Sequence, residues 1–363
     1  MSHFEERLER DLEEIRSRVR AVGQAVEAAL KKAVHTVLSG DEEAASEVIL
    51  GDLPINREIR SIDRLCHAFV AQHLPSAGHL RFVSAVLRLN VELERVGDYA
   101  VAIARETVQM SAAPAGSVAR DIELISDQAR RLLHQALQAF DSSNAELARG
   151  TKALAKQADK TFQKVFADLL LEGERGTWPL RDLFAFLVVI NRLGRVSDQA
   201  KNICEDTLFA VAGEMKEPKT YRILFVDHRN AGLSQLAEAY ASKAFGDYGQ
   251  FSSAGWEPAD RIAPAVESFL DNNNLTTSGL MTKVLGGSVD DLSEYDVIVG
   301  LEGELRDQIP EVPFHTVLLN WDIGELPEGL DQERTAALLD QSLKKLAVEI
   351  RGLMETMRGK EVG

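Results

Sequence analysis

The sequence predicts a multidomain protein: an all-α double three-helix bundle, followed by an α/β three-layer sandwich with a four-stranded parallel sheet. Its length of 363 residues is enough for about two domains. An internal repeat supports the first assignment, because residues 80–107 align without gaps with residues 180–207 and share 11 of 28 positions. Beyond residue 220, short apolar runs alternate with amphipathic segments, which is typical of parallel strands joined by helices.

Helical periodicity dominates residues 1–213, the predicted first domain. Its first segment repeats apolar side chains every three or four residues: Leu8, Leu12, Ile15, Val19, Val22, Val26, Leu30 and Val34. Pro54 predicts a bend in the second helix, because proline in a helix interior costs about 3 kcal/mol. The predicted helices are 4–39, 41–49, 56–73 and 80–110 in the first repeat (about 4–110), and 118–140, 145–171 and 180–212 in the second (118–212).

A linker over residues 214–220 is predicted to separate the domains, since Pro218 cannot continue the preceding helix. Residues 221–363 then form the predicted α/β domain. Its strands are predicted over 223–226, 248–254, 296–301 and 315–319, and its helices over 234–245, 264–272, 302–308 and 332–357. Strands alternating with helices predict parallel pairing.

The charge is distributed unevenly along the chain. The net charge is −16, of which residues 1–219 contribute −4 and residues 220–363 contribute −12, from 24 acidic and 12 basic side chains. An acidic domain is poorly suited to nucleic acid, whose phosphates are bound by lysine and arginine. We therefore expect protein partners and no nucleic acid.

Cysteine content and hydropathy indicate a cytoplasmic protein. The two cysteines, Cys66 and Cys204, are far apart in helical segments, so no disulfide framework is implied. The N-terminal residues are charged and lack the apolar core of a signal peptide. No apolar run approaches the roughly 20 residues that span a bilayer, so no membrane insertion is expected.

The repeated third helix carries a family resemblance. The segments DLPINREIRSID at 52–63, LNVELERVGDYAVAIA at 89–104 and SDQAKNICEDT at 197–207 resemble the PhoU family. The resemblance covers residues 4–213. It implies a cytoplasmic, usually dimeric regulator of phosphate uptake, with a phosphate transporter ATPase or a sensor kinase as its partner.

Some PhoU proteins bind metal through Glu/Asp-x3-Asp pairs, because residues four apart share one helix face. Glu94 and Asp98 form one intact pair, and Asp63 is a third ligand candidate. The resemblance thus leaves open a divalent or iron cation at these three residues, and no cofactor is otherwise implied. The alternative is that Glu94 and Asp98 pair with arginines such as Arg95 or Arg60 on a solvated face.

The resemblance also shows departures from the metal pattern. Position 59 is isoleucine and position 194 is glycine, where the family pairs would have carboxylates. Asp159 corresponds to Asp63 in the second repeat, with Ala155 four residues before it. A complete cluster is therefore not expected.

The second domain opens on YRILFVDHRNAGLSQLAEAY at 221–240, a strand, loop and helix. This segment resembles the phosphate loop of the low-molecular-weight tyrosine phosphatase and arsenate reductase family, which reads Cys-x5-Arg-Ser. The resemblance places Asp227 at the nucleophile and Leu233 at the phosphate-binding arginine. The candidate anion-binding residues are Asp227, Asn230, Gly232 and Ser234.

Loss of the thiolate and the guanidinium removes the chemistry of such a loop. A carboxylate at 227 would repel a dianion, so we expect Asp227 to cap a turn or the following helix. Weak anion binding by the loop amides is the alternative. Glu325, near the position of the family's general-acid aspartate, is interpreted as a loop carboxylate.

Three functions follow from these features. The first is a non-catalytic regulator or adaptor in phosphate or related anion uptake signalling, in which a degenerate phosphatase-like domain serves for docking. The second is a phosphoester hydrolase or arsenate reductase with Asp227 as substitute nucleophile, which would require a metal and nearby cations. The third is ligand sensing without turnover, with Trp256 or Trp321 lining the cleft.

Overall fold

The chain divides into two compact units, Met1–Glu217 and Pro218–Gly363. The computed structural model describes residues 3–215, 220–275, 278–309, 311–313, 316–324, 326 and 332–358. None of the helices within these ranges is long and apolar enough to cross a membrane.

The first unit is built from six helices, as the repeat predicts. They pack as two sets of three, and the third and first helices of one set also contact their counterparts in the other. A single hydrophobic core runs through both sets, with Leu93 and Phe186 fully buried in it. The helices are α1 (His3–Ser39), α2 (Glu42–Gln72), α3 (Ala77–Gln109), α4 (Gly116–Asp141), α5 (Ala145–Glu174) and α6 (Leu180–Ala212).

The predicted interruption of the helix between residues 49 and 56 is wrong, because α2 continues through Pro54. Proline fixes φ near the helical value, and its cost is mainly one lost backbone hydrogen bond and a local clash. The flanking turns of α2 bury Val48 and Ile59, and this burial favours one continuous helix. Asp41 lies outside the helix and caps it, since its carboxylate accepts the Ala44 N–H at 2.9 Å.

The third helices of the two sets cross in antiparallel orientation. Arg88 of α3 donates through Nε to Asp206 of α6 at 2.5 Å, and its guanidinium lies 4.3 Å from the ring centre of Phe209. Further along the same two helices, Gln199 donates to the Tyr99 hydroxyl at 3.4 Å. We name this contact the α3–α6 seam. It places corresponding faces of the two repeats against each other.

The seam contains a buried carboxylate whose titration is measurable. Burial raises the pKa of Asp206 to about 6, and the Arg88 guanidinium only partly offsets this shift. Because the unfolded value is about 3.9, the folded state binds this proton more tightly. The contribution of the protonated Asp206 side chain to the free energy of unfolding is complete below pH about 4 and is lost as the pH rises through about 6.

We therefore expect Asp206→Asn to remove one component of the pH dependence of stability. Between pH 4 and pH 7 the wild type should lose about 1–3 kcal/mol more unfolding free energy than the variant. Urea unfolding at several pH values measures this difference. Asp198→Asn, at a half-exposed position on the same helix, is the control and should keep the wild-type slope. Equal slopes for wild type and Asp206→Asn would contradict the assignment.

The second unit is an α/β sandwich around a four-stranded parallel sheet of order β2-β1-β3-β4. The strands are β1 (Tyr221–Asp227), β2 (Gly249–Gly255), β3 (Val297–Gly300) and β4 (Val317–Asn320). The helices are α7 (Leu233–Phe245), α8 (Pro264–Asn272), α9 (Val289–Leu292), α10 (Leu305–Gln308) and α11 (Gln332–Arg358). The predicted parallel sheet is confirmed.

Side chains of β1 alternate between two cores, as expected for a strand buried on both faces. Ile223 and Phe225 pack in the core formed with α7, α8 and α11. Leu224 and Val226 pack on the other face, against the short helices α9 and α10. β1 is therefore an inner strand that is buried on both faces, and its carboxyl end is paired with β2 and β3.

Several predicted boundaries shift. The helix α9 is absent from the prediction, and the predicted helix over 302–308 is shortened to Leu305–Gln308. The strand predicted from residue 315 begins at Val317, and residue 315 lies outside the described ranges.

Candidate functional site

The phosphatase-like loop connects the carboxyl end of β1 to the N-terminus of α7. Asp227 is the last residue of the strand and pairs in register with Gly255 of the neighbouring β2. The first N–H groups of a helix lack intrahelical partners, and here they face the end of the strand. Such an arrangement suits an anion.

The carboxylate of Asp227 is the anion found at this position. One of its oxygens accepts the backbone N–H of Asn230, and the other accepts the N–H of Ser234 at 2.8 Å. The residue is 2% exposed. Burial raises the pKa of Asp227, and hydrogen bonds from Ser234 and Asn230 counteract that shift. Asp227 therefore caps both the loop turn and the first turn of α7.

Asn230 fixes the shape of the loop. Its φ of 47° lies in the left-handed region, which asparagine tolerates better than most residues. Its side chain donates to Ser234 Oγ at 2.9 Å and accepts the Lys283 N–H at 2.7 Å. Asn230 and Ser234 are both fully buried. The side chains of these candidate anion-binding residues thus bond to each other and to the backbone of Lys283.

Two glycines allow the close packing of the loop. A Cβ on Gly255 would lie 2.7 Å from His228 O and 2.8 Å from the Asn230 nitrogen. A Cβ on Gly232, the residue before α7, would lie 3.3 Å from Leu326 Cδ2. That atom is the end of a flexible side chain, so the requirement for glycine is weaker at 232 than at 255. Gly255 was not among the predicted site residues, because it is 28 positions from Asp227 in sequence.

The rim of the loop is acidic and aromatic. The His228 N–H donates to Glu302 at 3.0 Å, and its imidazole lies 3.0 Å from a Glu257 oxygen. The same ring stacks on Trp256, with centroids 5.6 Å apart. Of the two predicted cleft tryptophans, Trp256 therefore adjoins the loop, whereas Trp321 packs against Phe225 of the core at 6.1 Å. The carboxylates disfavour a dianionic ligand.

The side chain at the position of the family's phosphate-binding arginine, Leu233, also points into the core. Leu233 is 1% exposed and belongs to the core beneath α7. Glu325 lies outside the described residues.

Residues 218–363 contain no cysteine. Cys66 and Cys204 are buried in the first unit, where burial raises the pKa of each thiol to about 12. A reactive thiolate requires a lowered pKa, which neither provides.

The candidate metal residues do not form a cluster. In the ranges that the structure describes, no group of three or more His, Cys, Asp or Glu side chains could hold a metal ion. Asp63 accepts a hydrogen bond from Asn90 at 2.8 Å instead. Glu94, Asp98 and Asp63 therefore do not form such a group in the described part of the chain, and a metal site at these residues stays a prediction. The carboxylate next to Asp98 is Asp52, whose pKa is raised by burial and by that neighbouring charge.

The ion pair of Arg95 also differs from the pair with Glu94 that was the alternative to metal binding. Arg95 contacts Glu92 at 3.3 Å, three residues before it, rather than Glu94. In the second repeat, a Cβ on Gly194 would lie 3.1 Å from the Phe162 ring, so an aromatic side chain fills the place of a carboxylate. The side chain of Asp159 lies outside the description.

Comparisons with known proteins match each unit separately. The PhoU domain profile matches residues 19–107 and 122–207, and the profile of low molecular weight phosphotyrosine protein phosphatase matches residues 222–357. The phosphate-specific transport system accessory protein PhoU homolog of Pseudomonas putida is 28% identical over 248 residues, which cover 68% of this chain and 91% of that protein.

Two solved structures also align. The crystal structure of PhoU from Pseudomonas aeruginosa has a TM-score of 0.54 and 27% identity, covering 57% of this chain and 99% of that one. A thioredoxin-dependent arsenate reductase of Corynebacterium glutamicum covers 45% of this chain and 75% of that one at 26% identity, with a TM-score of only 0.31. The first of these similarities supports the six-helix fold.

Proposed function

Because this chain joins a PhoU domain to a domain like low molecular weight phosphotyrosine protein phosphatase, we propose that it is a non-catalytic regulator of phosphate or related anion uptake. Relatives of the first unit are named accessory proteins of the phosphate-specific transport system. In this proposal the second unit is a docking module. The protein acts in the cytoplasm as a homodimer, and it binds a transporter ATPase or a sensor kinase.

The observation that carries the non-catalytic assignment is the state of Asp227. Both of its oxygens accept hydrogen bonds from loop amides, and the residue is 2% exposed. A nucleophile must be accessible to the phosphorus or arsenic atom of the substrate, and the burial of Asp227 denies that access. The oxygens of Asp227 are directed to the amides, and Leu233 offers no donor to a transferred group.

The enzymatic alternative predicts turnover, and we expect none. The full-length protein should release no phosphate from p-nitrophenyl phosphate and reduce no arsenate above a protein-free blank, with or without Mg²⁺. Asp227→Asn should give the same result. Turnover by the wild type that is lost in Asp227→Asn would establish Asp227 as a nucleophile and overturn the non-catalytic assignment.

The regulatory role is tested by affinity capture of the tagged, full-length protein from its own cells at low and high phosphate. We expect phosphate-transport or sensor-kinase components, in amounts that change with phosphate. The tag alone is the control for adventitious capture. Failure to recover such components at either phosphate level would contradict the proposal.

A further inference from the structure

A groove runs between the first helices of the two repeats, α1 and α4. Two cavities along it, of about 220 and 480 Å³, adjoin each other, because Glu27 and His134 line both. A third cavity, of about 210 Å³, shares Arg16 and Phe82 with the first. Arg16 and Lys31 are fifteen residues apart on α1, so this stretch is about 22 Å long. We name it the α1–α4 groove, formed by residues 16–31 of α1 and 127–141 of α4.

The floor of the α1–α4 groove is apolar. Phe140 is buried, and its ring stacks on that of Phe82 with centroids 5.9 Å apart. The Arg16 guanidinium lies 4.9 Å from the centre of the Phe82 ring. Phe82 and Leu137 both line the groove and are only half-buried. An apolar side chain from another molecule would therefore remove further apolar surface from water at this floor.

Each acidic side chain that lines the groove already contacts a basic side chain of the groove. The pairs are His134 with Glu27 at 3.0 Å, Arg20 with Asp141 at 2.7 Å, and Arg130 with Asp127 at 3.6 Å. Two further cations, Lys31 and Arg131, line the same cavity and are exposed. Neither forms an ion pair or a side-chain hydrogen bond with any residue that the structure describes. Their charge is available to a negatively charged ligand.

The length and the floor of the groove select the class of ligand. A small inorganic anion would contact the cations and leave the apolar floor in water. Nucleic acid is disfavoured by the net charge of −16. A helix of about 15 residues matches the length of about 22 Å, and helices pack in the groove between two others. An amphipathic helix also offers an apolar face and charged edges together.

We propose that the α1–α4 groove binds an acidic amphipathic helix of the protein partner. Apolar side chains of that helix pack on Phe82 and Leu137, and its carboxylates pair with Lys31 and Arg131. This inference rests on the proposed regulatory role, for which it supplies a docking surface on the first unit in addition to the second unit.

Charge reversal in the groove is the first test. The full-length double variant Lys31→Glu/Arg131→Glu is tagged and used for affinity capture beside the wild type. It should recover the transporter ATPase or the sensor kinase in amounts lower by about tenfold or more, because like charges would face each other. Both positions are exposed, so the variant should keep the helical circular dichroism of the wild type.

The matched control is Arg57→Glu/Arg64→Glu, which reverses two exposed arginines on α2, outside the groove. It has the same net charge as the groove variant and should recover the partner within about twofold of the wild type. Equal recovery by the groove variant and the wild type overturns the proposal. Equal losses in the two double variants also overturn it, since net charge alone would then explain them.

Photo-crosslinking identifies the occupant. The substitution Gln24→p-benzoylphenylalanine places the reactive group at an exposed position that lines the groove, and the same substitution at Arg64 is the control. Irradiation in the cells should join position 24, and not position 64, to a partner peptide. That peptide should carry a net negative charge and apolar residues at helical spacing. A peptide of a second copy of this chain, a peptide with a net positive charge, or no crosslink at position 24 overturns the proposal.

Failure of the groove and failure of the regulatory role give different results. If the wild type recovers the partner and the groove variant recovers it equally, the groove is wrong and the regulatory role stands. If the wild type recovers no such partner, the regulatory role is contradicted, and the inference falls with it.

Discussion

Replacing Gly255 with alanine is expected to destabilise the second unit by at least about 2 kcal/mol, through overpacking against the backbone. The added Cβ would meet His228 O at 2.7 Å and the Asn230 nitrogen at 2.8 Å. These contacts are with backbone atoms that cannot rotate away. The loop must shift, and Asp227 would then lose the alignment of its two hydrogen bonds.

This result is measured by urea unfolding of full-length protein in a Trp178→Phe background. That background leaves Trp256 and Trp321, both in the second unit, as fluorescence reporters. Gly287→Ala is the control, because nothing lies within 4 Å of its Cβ position. An unfolding midpoint for Gly255→Ala equal to that of Gly287→Ala would show that the loop is not held as described.

The second large effect is expected in the first unit, at Phe186. This side chain is fully buried and packs edge-on against Trp178, with ring centres 5.1 Å apart at 89°. Phe186→Ala should cost about 3–5 kcal/mol, because it removes an aromatic ring and leaves a cavity in the shared core. Helical circular dichroism during urea unfolding measures the loss.

Phe184→Ala provides the comparison, since Phe184 lies on the same helix but is 59% exposed. It should change stability by about 0.5 kcal/mol or less. Similar losses for both variants would contradict the assignment of the core face of α6. Because both residues are phenylalanines on α6, a difference between the two variants would show that burial causes the loss of stability.

The helices and the sheet could be predicted because their signals are local and repeated. The apolar spacing in α1 reflects burial of one face of that helix. The short apolar runs after residue 220 reflect strands that are buried in the sheet. The uninterrupted helix through Pro54 was missed, because burial of the flanking residues overrides a local cost. The four-residue helix α9 is too short to produce a periodic signal.

The site was predicted less completely. The capping position of Asp227 follows from its place between a strand and a helix N-terminus. The roles of Gly255 and Glu302 depend on contacts between residues 28 and 74 positions apart, which no local pattern encodes. The hydrogen bond from Asn90 to Asp63 could not be predicted for the same reason, since it is set by the packing of α2 on α3.

The α3–α6 seam has the geometry of a symmetric dimer interface contained in one chain. In a true homodimer, each substitution would appear on both sides of the symmetry axis at once. Joining the two copies in one polypeptide removes that constraint. One half carries Glu94, whereas the corresponding Gly194 of the other half is packed by Phe162. The two repeats of one chain can thus carry different residues at corresponding positions, a freedom that two identical subunits do not have.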